Sequence, residues 1–328
     1  MADKPFYMNT YIIREFDSGD ISAINKLFNT VFLLNRTIEE WNSKFLNYPS
    51  CPELKSLIVV AYYKKLLVGT FASVPYSISY KGKSFSALQG LDNCIHEEHR
   101  GAGIQSEMYA LLNSLASRES YYFNFGFPGG KGRELGLRRL GYKVISELEK
   151  WVVSINSVEQ QVNFSLDFRE VSLPHLLPHV PISRREERFH VPKTFAYLKW
   201  RYAWKNDIIF RIFASFKNDI LQSYIVYGYR KIYPDSVNIY EIEYVNKNCA
   251  LETLQRSFVQ LKKDGVKNVA GFVKKDDIEE SLLKLSGFTY CPDKYITAVI
   301  GKIWQSEVSE ETILDPENWY VSLGDSDL

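Results

Sequence analysis

A short turn ahead of a predicted helix carries the residue types that hold an anion. Arg100, Gly101 and Gly103 precede an amphipathic segment that begins near Ile104. The first backbone N–H groups of a helix lack partners within it, and the helix dipole places about half a positive charge there. Glycines let those amides approach a ligand closely, and Arg100 adds a charged donor. The turn predicts a phosphate site, with an ordinary strand-to-helix turn as the alternative.

Two acidic regions could supply a general base. Asp92 lies at the end of the predicted strand before the turn, where burial would raise its pKa into a useful range. A carboxylate that bonds the backbone at the strand end is the alternative for this residue. Residues 305–328 carry seven acids and no Lys or Arg. The apolar alternation of Trp319, Tyr320 and Leu323 within them predicts a strand.

Three other reactive side chains lie near the turn. No base is evident beside Cys94, so no nucleophilic role is predicted for its thiol. His96 and His99 carry the side-chain type that most often serves as a general base. Because His99 is next to Arg100, we expect it to shape the turn.

The elements that would position these residues follow an α/β order. Hydrophobic periodicity and turn residues indicate where each element begins and ends. The β-rich runs on either side of a Lys-Gly turn near residue 82 favour an antiparallel meander. The predicted elements of the first half are a strand at 11–16, helices at 17–32 and 37–49, the meander at 57–95, a helix from about 104 to 117, a strand at 121–127, a helix closed by Gly141, and a strand at 143–155.

The second half repeats this order more faintly. Its predicted elements are strands at 221–231 and 236–245, a helix at 249–265, a strand at 266–273 and a helix that closes on Gly287. Structural duplication is the favoured interpretation, and a coincidental order is the alternative. Residues 195–204 predict a hairpin. The predicted organisation is a domain at 1–155, a connector at 156–192, a domain at 193–304 and an acidic tail at 305–328.

Composition narrows the class of protein. The formal net charge of +1 gives no general attraction to nucleic acid or to an anionic membrane. No apolar run is long enough to span a bilayer, and the first residues do not form a signal peptide. The four cysteines lack C-x-x-C spacing, which is typical of reduced thiols in the cytoplasm. His175 and His179 have no third ligand nearby, so no metal site is predicted.

Residues 95–112 resemble the acyl-CoA pyrophosphate loop of the GNAT superfamily of N-acetyltransferases, whose pattern is [QR]-x-x-G-x-[GA]. Arg100 matches the first position and Gly103 the fourth, whereas Gln105 stands where Gly or Ala is usual. The turn fits neither G-x-x-x-x-G-K-[ST] nor G-x-G-x-x-G. The order of elements over residues 10–155 is also similar to GNAT proteins, and the remainder resembles a second, degenerate GNAT-like domain. The resemblance implies an α/β (α+β) fold with mixed, mostly antiparallel central sheets flanked by helices in two tandem domains.

The resemblance also implies the residues that hold acetyl-CoA, or another acyl-CoA, as co-substrate, with no metal. Backbone groups of the strand before the turn would bind pantetheine and the thioester, the turn would bind the pyrophosphate, and one residue would line the exit of the tunnel. These residues are, in the same order, Asn93, Cys94 and Ile95, then Arg100, Gly101, Ala102, Gly103, Ile104 and Gln105, and finally Asn124.

Catalytic residues follow less directly from the resemblance. Gln89 stands where some family members have a Glu base, so Asp92 is kept as a catalytic candidate. Some large relatives bring the end of the chain into the active site as base, which implies Asp325, Asp327 or the Leu328 carboxylate here. Leu137 stands where a Tyr acid is often found. The tyrosines that could replace it are Tyr121, Tyr122 and Tyr142.

The function implied by the resemblance is an acyl-CoA-dependent N-acyltransferase, with acetyl favoured, that acts by direct transfer to a small-molecule amine. Similarity of residues 197–202 and 318–327 to large bacterial members of surface-polysaccharide biosynthesis favours an amino sugar. A Fem-type tRNA-dependent aminoacyltransferase is one alternative, although it would not need the Arg100–Gly103 loop. A non-catalytic acyl-CoA-binding module is the other. No nucleic-acid partner is expected, and the sequence does not indicate an oligomeric state.

Overall fold

The structure is a computed structural model that describes residues 6–8, 11–49, 54–158, 164–176, 186–202, 208–230, 232–292, 297–305 and 307–326. The strands are β1 (Phe6–Met8), β2 (Tyr11–Glu15), β3 (Leu57–Tyr63), β4 (Leu66–Tyr80), β5 (Lys83–Ile95), β6 (Phe123–Gly126), β7 (Lys143–Ser154), β8 (Asp167–Val171), β9 (Ile208–Lys217), β10 (Ile220–Arg230), β11 (Ser236–Tyr244), β12 (Asn268–Lys274), β13 (Thr289–Tyr290) and β14 (Thr297–Ile303). The helices are α1 (Ile21–Phe32), α2 (Ile38–Phe45), α3 (Ile104–Arg118), α4 (Gly130–Arg139), α5 (Leu173–Leu176), α6 (Phe195–Tyr202), α7 (Lys247–Lys263), α8 (Ile278–Leu285) and α9 (Glu310–Leu314).

The chain divides into two compact units. Unit 1 comprises Met1–Ser79, Lys83–Ile145 and Val299–Asp315, and unit 2 comprises Tyr80–Gly82, Ser146–Ala298 and Pro316–Leu328. The mixed α/β fold with mostly antiparallel sheets flanked by helices agrees with the sequence-based fold class. None of the helices in the described part of the chain is long and apolar enough to cross a membrane.

Unit 1 is built on a sheet with the strand order β1-β2-β3-β4-β5-β6-β14. Strands β1 to β4 pair antiparallel, and β14 pairs antiparallel with β6. Strands β5 and β6 are parallel, and α3 is the crossover that joins them. The buried face of α3 packs on this sheet, with Met108 so close to Gly69 of β4 that a Cβ there would lie 3.0 Å from its sulfur. The predicted helix at 104–117 and the Lys81-Gly82 turn are both confirmed.

Unit 2 has a sheet of its own in the order β7-β12-β11-β10-β9-β8, with β13 paired to β7. Strands β9, β10 and β11 pair antiparallel, β11 and β12 pair parallel, and α7 joins this parallel pair. The core is aromatic and β-branched, and Phe213, Tyr227, Leu254 and Leu282 are fully buried in it. The order of strands and helices predicted for the second half is therefore confirmed.

The two units repeat the same order of elements. Three consecutive strands and a helix lead into a strand that pairs parallel with the third: β3-β4-β5-α3-β6 in unit 1 and β9-β10-β11-α7-β12 in unit 2. The strands that follow are exchanged. After α4 the chain enters unit 2 as β7, which pairs with β12, and after α8 it enters unit 1 as β14, which pairs with β6. The first and last predicted boundaries therefore differ from the division in the structure.

Two local predictions were wrong. Residues 195–202 form helix α6 instead of a hairpin, because Tyr197, Leu198, Arg201 and Tyr202 share one buried face at helical spacing. Residues 318–323 are not a strand. Trp319 makes one isolated bridge to Phe189, and the chain then turns, so the apolar residues of this segment are buried in unit 2 without forming a ladder.

We expect Gly301 to be required for packing in unit 1. A Cβ at this position would lie 2.9 Å from the backbone oxygen of Asn124 and would overlap Ile145. Gly301→Ala should therefore lower the free energy of unfolding by about 1–3 kcal/mol, the usual cost of overpacking. Gly129→Ala is the control, because nothing lies within 4 Å of its Cβ. Urea denaturation measures both, and equal stability of the two variants would contradict the packing described.

Candidate functional site

The turn before α3 has the backbone shape that its glycines permit. Gly101 and Gly103 both have a φ of 82°, in the left-handed region that L side chains rarely adopt. Gly103 is the N-cap of α3 and offers no side chain to cap it. The turn is exposed from Arg100 to Gly103. The start of α3 thus presents backbone N–H groups outward, as an anion site requires.

Arg100 is tied to the strand that precedes the turn. Its Nε donates a hydrogen bond of 3.1 Å to the backbone oxygen of Ile95, the last residue of β5. Of the residues that follow the turn, Ile104 is buried and anchors the helix start, and Gln105 is half-buried. Ala102 is exposed between the two glycines. The structure therefore brings the sequence-predicted residues 100 to 105 together at one end of β5.

Strands β5 and β6 pair only over a short distance, because β6 has four residues. The parallel register runs from Ala87 opposite Phe123 to Gln89 opposite Phe125, while β5 continues to Ile95. Asn124 is 1% exposed, and neither its Oδ1 nor its Nδ2 finds a hydrogen-bond partner among the described residues. A Cβ on Gly90 would lie 3.8 Å from that Oδ1.

A buried amide without partners costs about 1–3 kcal/mol. Because the amide of Asn124 lies near Gly90, which has no side chain, a polar ligand that reached this point would satisfy it.

Asp92 lies in the part of β5 that extends beyond this pairing. Its φ of 52° interrupts the regular strand, and its carboxylate pairs with Arg36 and, at 2.8 Å, with Lys44. Burial acts to raise the pKa of Asp92, but the charges of Lys44 and Arg36 outweigh it, so the pKa is held below its usual value. The expectation that burial raises this pKa was therefore wrong, because sequence reasoning did not find the two cations.

The neighbours of Asp92 hold the end of β5 in place. Asn93 is exposed, and its Oδ1 accepts a hydrogen bond of 2.9 Å from the backbone N–H of Ala72 in β4. Cys94 is buried, and burial together with the charge of Asp92 raises the pKa of its thiol to about 12. A thiol with so high a pKa is not a nucleophile at neutral pH. The backbone roles implied for residues 93–95 stay predictions.

The other catalytic candidate, Asp325, lies in unit 2. It is 2% exposed, pairs with Lys193, and accepts a hydrogen bond of 2.9 Å from the backbone N–H of Ser322. Burial opposes its charge, but Lys193 lowers its pKa below the usual value. A carboxylate so enclosed has the surroundings of a structural ion pair, and its catalytic role stays a prediction. Asp327 and Leu328 lie outside the described residues.

The histidines and tyrosines near the turn have structural partners. The Oη of Tyr11 lies 3.0 Å from Nδ1 of His99, which agrees with a role for His99 in shaping the turn. Ligand atoms of His96, Glu98 and His99 lie within 4.8 Å of one another. Burial raises the pKa of Tyr142 to about 12, and its ring packs 5.7 Å from that of Tyr109. The Oη of Tyr121 donates to the backbone oxygen of Lys55.

Sequence reasoning missed Arg36 and Lys44. Arg36 directly precedes Thr37, which caps α2 by accepting from the backbone N–H of Glu40, and Lys44 lies in the last turn of that helix. The available signal was a buried acid in β5 that required a counterion. Nothing in the local pattern of residues 34–44 indicates that these cations face a strand some 50 positions later.

Comparison with known proteins identifies a matching domain family and structures of similar fold. The acetyltransferase (GNAT) domain family matches residues 12–145. A probable N-acyltransferase from Enterococcus faecalis V583 is 12% identical with a TM-score of 0.71, over 90% of this chain and 73% of that one. A GCN5-related N-acetyltransferase from Anabaena variabilis is 14% identical with a TM-score of 0.68, over 89% and 72%. A tandem GNAT protein from the clavulanic acid biosynthesis pathway is 10% identical with a TM-score of 0.60, over 89% and 98%.

No curated protein matches the chain. The family match falls on the unit that contains the glycine turn, and the similarity of fold extends over both units. Residues 12–145 therefore match the acetyltransferase (GNAT) domain, a family whose acyltransferases use an acyl-CoA as co-substrate.

We expect Asp92→Asn to destabilise the protein strongly at neutral pH. The substitution leaves the cations of Arg36 and Lys44, whose side chains are 11% and 14% exposed, without their carboxylate. Breaking a buried ion pair in this way costs about 3–5 kcal/mol. Asp219→Asn, on an exposed turn, is the control and should change stability by less than about 0.5 kcal/mol.

The pH dependence has a definite sign. Because the folded pKa of Asp92 is below the unfolded value of about 3.9, its stabilisation is complete above that value and is lost as the pH falls through the folded pKa. The stability difference between the wild type and Asp92→Asn should be constant from pH 5 to 8 and shrink in acid. If the stability difference instead shrinks as the pH rises from 6 to 8, the pKa of Asp92 is raised in the folded protein.

Proposed function

We propose that unit 1 binds an acyl-CoA, with acetyl-CoA favoured, and transfers the acyl group directly to an amine on a small molecule. The observation that carries the proposal is the glycine turn, which leaves the start of α3 exposed and without a capping side chain. The buried amide of Asn124, which has no hydrogen-bond partner among the described residues, supports it. We favour an amino sugar as acceptor, on the resemblance to proteins of surface-polysaccharide biosynthesis. The reaction would take place in the cytoplasm, where acyl-CoA is formed.

The donor would be held along β5 and at the start of α3. The backbone N–H groups from Gly101 to Gln105, together with Arg100, would bind the pyrophosphate. Backbone groups of Asn93, Cys94 and Ile95 would bind pantetheine and the thioester carbonyl, and the amide of Asn124 would bond the pantetheine arm. This assignment uses main-chain groups for most contacts, so the site tolerates Gln105 at a position where Gly or Ala is usual.

The chemistry would need few side chains. The unprotonated amine attacks the thioester carbonyl, and a backbone N–H of β5 stabilises the tetrahedral oxyanion. The C–S bond then breaks, the CoA thiolate leaves, and the proton that the amine loses passes to water or to the thiolate. Thiols have a pKa of about 8.5, so the thiolate leaves near neutral pH with little help from an acid. Asp92 is a weak base because two cations hold its carboxylate. A role in positioning the acceptor suits it better than proton transfer.

A non-catalytic acyl-CoA-binding module is the second candidate. It is favoured by two features: Gln89, which is 1% exposed, cannot accept a proton, and the pKa of Asp92 is lowered. The binding site would be the same in both cases, so only turnover separates them.

Acetyl-CoA should raise the melting temperature of the protein, and Gly101→Val should abolish the rise. Gly82→Val is the matched control, because both glycines have a positive φ, +82° and +73°, and open space around the Cβ position. The backbone strain of the two variants is then similar, and only Gly101→Val places a side chain in the predicted pyrophosphate site. The proposed donor site would be wrong if acetyl-CoA did not raise the melting temperature of the wild type, or if both variants lost the rise equally.

An assay of acetyl transfer to a panel of amino sugars, in which the release of free CoA is measured, distinguishes an enzyme from a non-catalytic acyl-CoA-binding module. The same assay decides the predicted role of Asp325. If Asp325 is the general base, Asp325→Asn should lower kcat by about 10²–10⁴-fold. If Asp325 is only the buried partner of Lys193, the same substitution should lower the melting temperature and leave kcat nearly unchanged. We expect turnover in the wild type and the second outcome for Asp325.

A further inference from the structure

We propose that Arg36 binds an anionic group, a carboxylate or a phosphate, on the amine acceptor. The inference rests on the proposed function and deepens it, because it names a chemical class of acceptor. The site consists of the guanidinium of Arg36, fixed between Asp92, Asn25 and the ring of Phe28.

The guanidinium is fully positioned but not fully bonded. Its Nη1 bonds the carboxylate of Asp92, and its Nε donates a hydrogen bond of 2.9 Å to Oδ1 of Asn25. The ring of Phe28 lies 3.6 Å from its central carbon, which fixes the plane of the group. Its Nη2 is buried and has no hydrogen-bond partner among the described residues. Because a buried donor of a charged group is costly to leave unbonded, an anionic oxygen is the ligand that would satisfy it.

The side chain of Arg36 is not needed to hold its own segment. The backbone oxygen of Arg36 accepts hydrogen bonds of 2.7 Å and 2.9 Å from the carboxamides of Asn25 and Asn29, and its backbone N–H donates to Asn29 at 2.9 Å. The side-chain amides of α1 therefore hold the backbone of the connection to α2 without using the Nη2 of Arg36. The donor that these contacts leave over suggests a ligand-binding role in addition to the pair with Asp92.

The position of the site identifies which substrate would carry the anion. Asp92 precedes Asn93, Cys94 and Ile95, the segment assigned to pantetheine and the thioester, so Arg36 lies beside the reacting end of the donor. The pyrophosphate of the donor has its own cradle at the start of α3. The pantetheine arm carries no charge, and the anion bound by Arg36 would therefore belong to the acceptor.

The test compares amines that differ only in an anionic group. Glucosamine, glucosamine 6-phosphate and muramic acid form one matched set, and ethanolamine, O-phosphoethanolamine and β-alanine form another. Binding to the full chain in the presence of CoA is measured by calorimetry, and acetyl transfer from acetyl-CoA is measured in parallel. The phosphate and carboxylate arms distinguish the two sources of the anion.

We expect the wild type to bind an anionic amine of at least one set at least tenfold more tightly than its neutral counterpart. Arg36→Lys should remove this preference and leave the affinity for CoA within twofold. Arg36→Gln is the second variant. Arg14→Lys is the matched control, because Arg14 forms a comparable pair with Asp20, at 2.7 Å and 2.8 Å, and should keep the preference.

The outcomes separate this inference from the proposed function. Equal binding of anionic and neutral amines in both sets, or the same loss in Arg14→Lys as in Arg36→Lys, would overturn the role of Arg36 while leaving acyl transfer intact. Tight, Arg36-dependent binding of an anionic amine without any turnover would support the anion site and contradict the enzyme.

Discussion

The parallel pairing of β5 with β6 is the constraint on which the site depends. Two consecutive parallel strands cannot be joined by a hairpin, so the chain must return along a crossover, and here that crossover is α3. The crossover starts where β5 ends, which places the helix N-terminus at the carboxyl end of the strand. Because the pairing stops at Gln89 while β5 continues to Ile95, the last residues of β5 extend beyond their pairing with β6 at that same end.

Charge is distributed along β5 in a way that suits two different substrates. At the far end, Arg100 bonds the backbone oxygen of Ile95 and precedes the start of α3, which has no capping side chain. Three residues before Ile95, the carboxylate of Asp92 forms ion pairs with Arg36 and Lys44. The ion pairs that make Asp92 a poor base also stabilise the buried guanidinium of Arg36, because burying an Arg without a counterion would be too costly. The lowered pKa of Asp92 and the orientation of Arg36 are consequences of a single arrangement.

Local sequence patterns were enough to predict the elements whose formation depends on residues that are close together in the chain. The glycine turn, α3 and the meander follow from residues within a few positions of each other, and all three are confirmed. The partners of Asp92 were not predictable in this way. Arg36 and Lys44 lie 56 and 48 positions away, and only the folded chain brings them to β5. The exchange of β7 and β14 was missed for a similar reason, since an apolar run predicts a strand and does not indicate which sheet it joins.

The repeated order of elements raises the question of why an anion site is expected in unit 1 and not in unit 2. The helices α3 and α7 occupy the same place in the two repeats, since each joins the two strands of a parallel pair. Asn246 caps α7, and its Oδ1 accepts a hydrogen bond of 3.0 Å from the backbone N–H of Cys249. Gly103 caps α3 and has no side chain with which to do so. Because Asn246 bonds the N–H of Cys249 with its side chain, it occupies the helix start that an anion would need at α7. The corresponding N–H of α3, that of Ser106, bonds the backbone oxygen of Gly103 at 3.1 Å, so no side chain of the N-cap residue covers the start of α3.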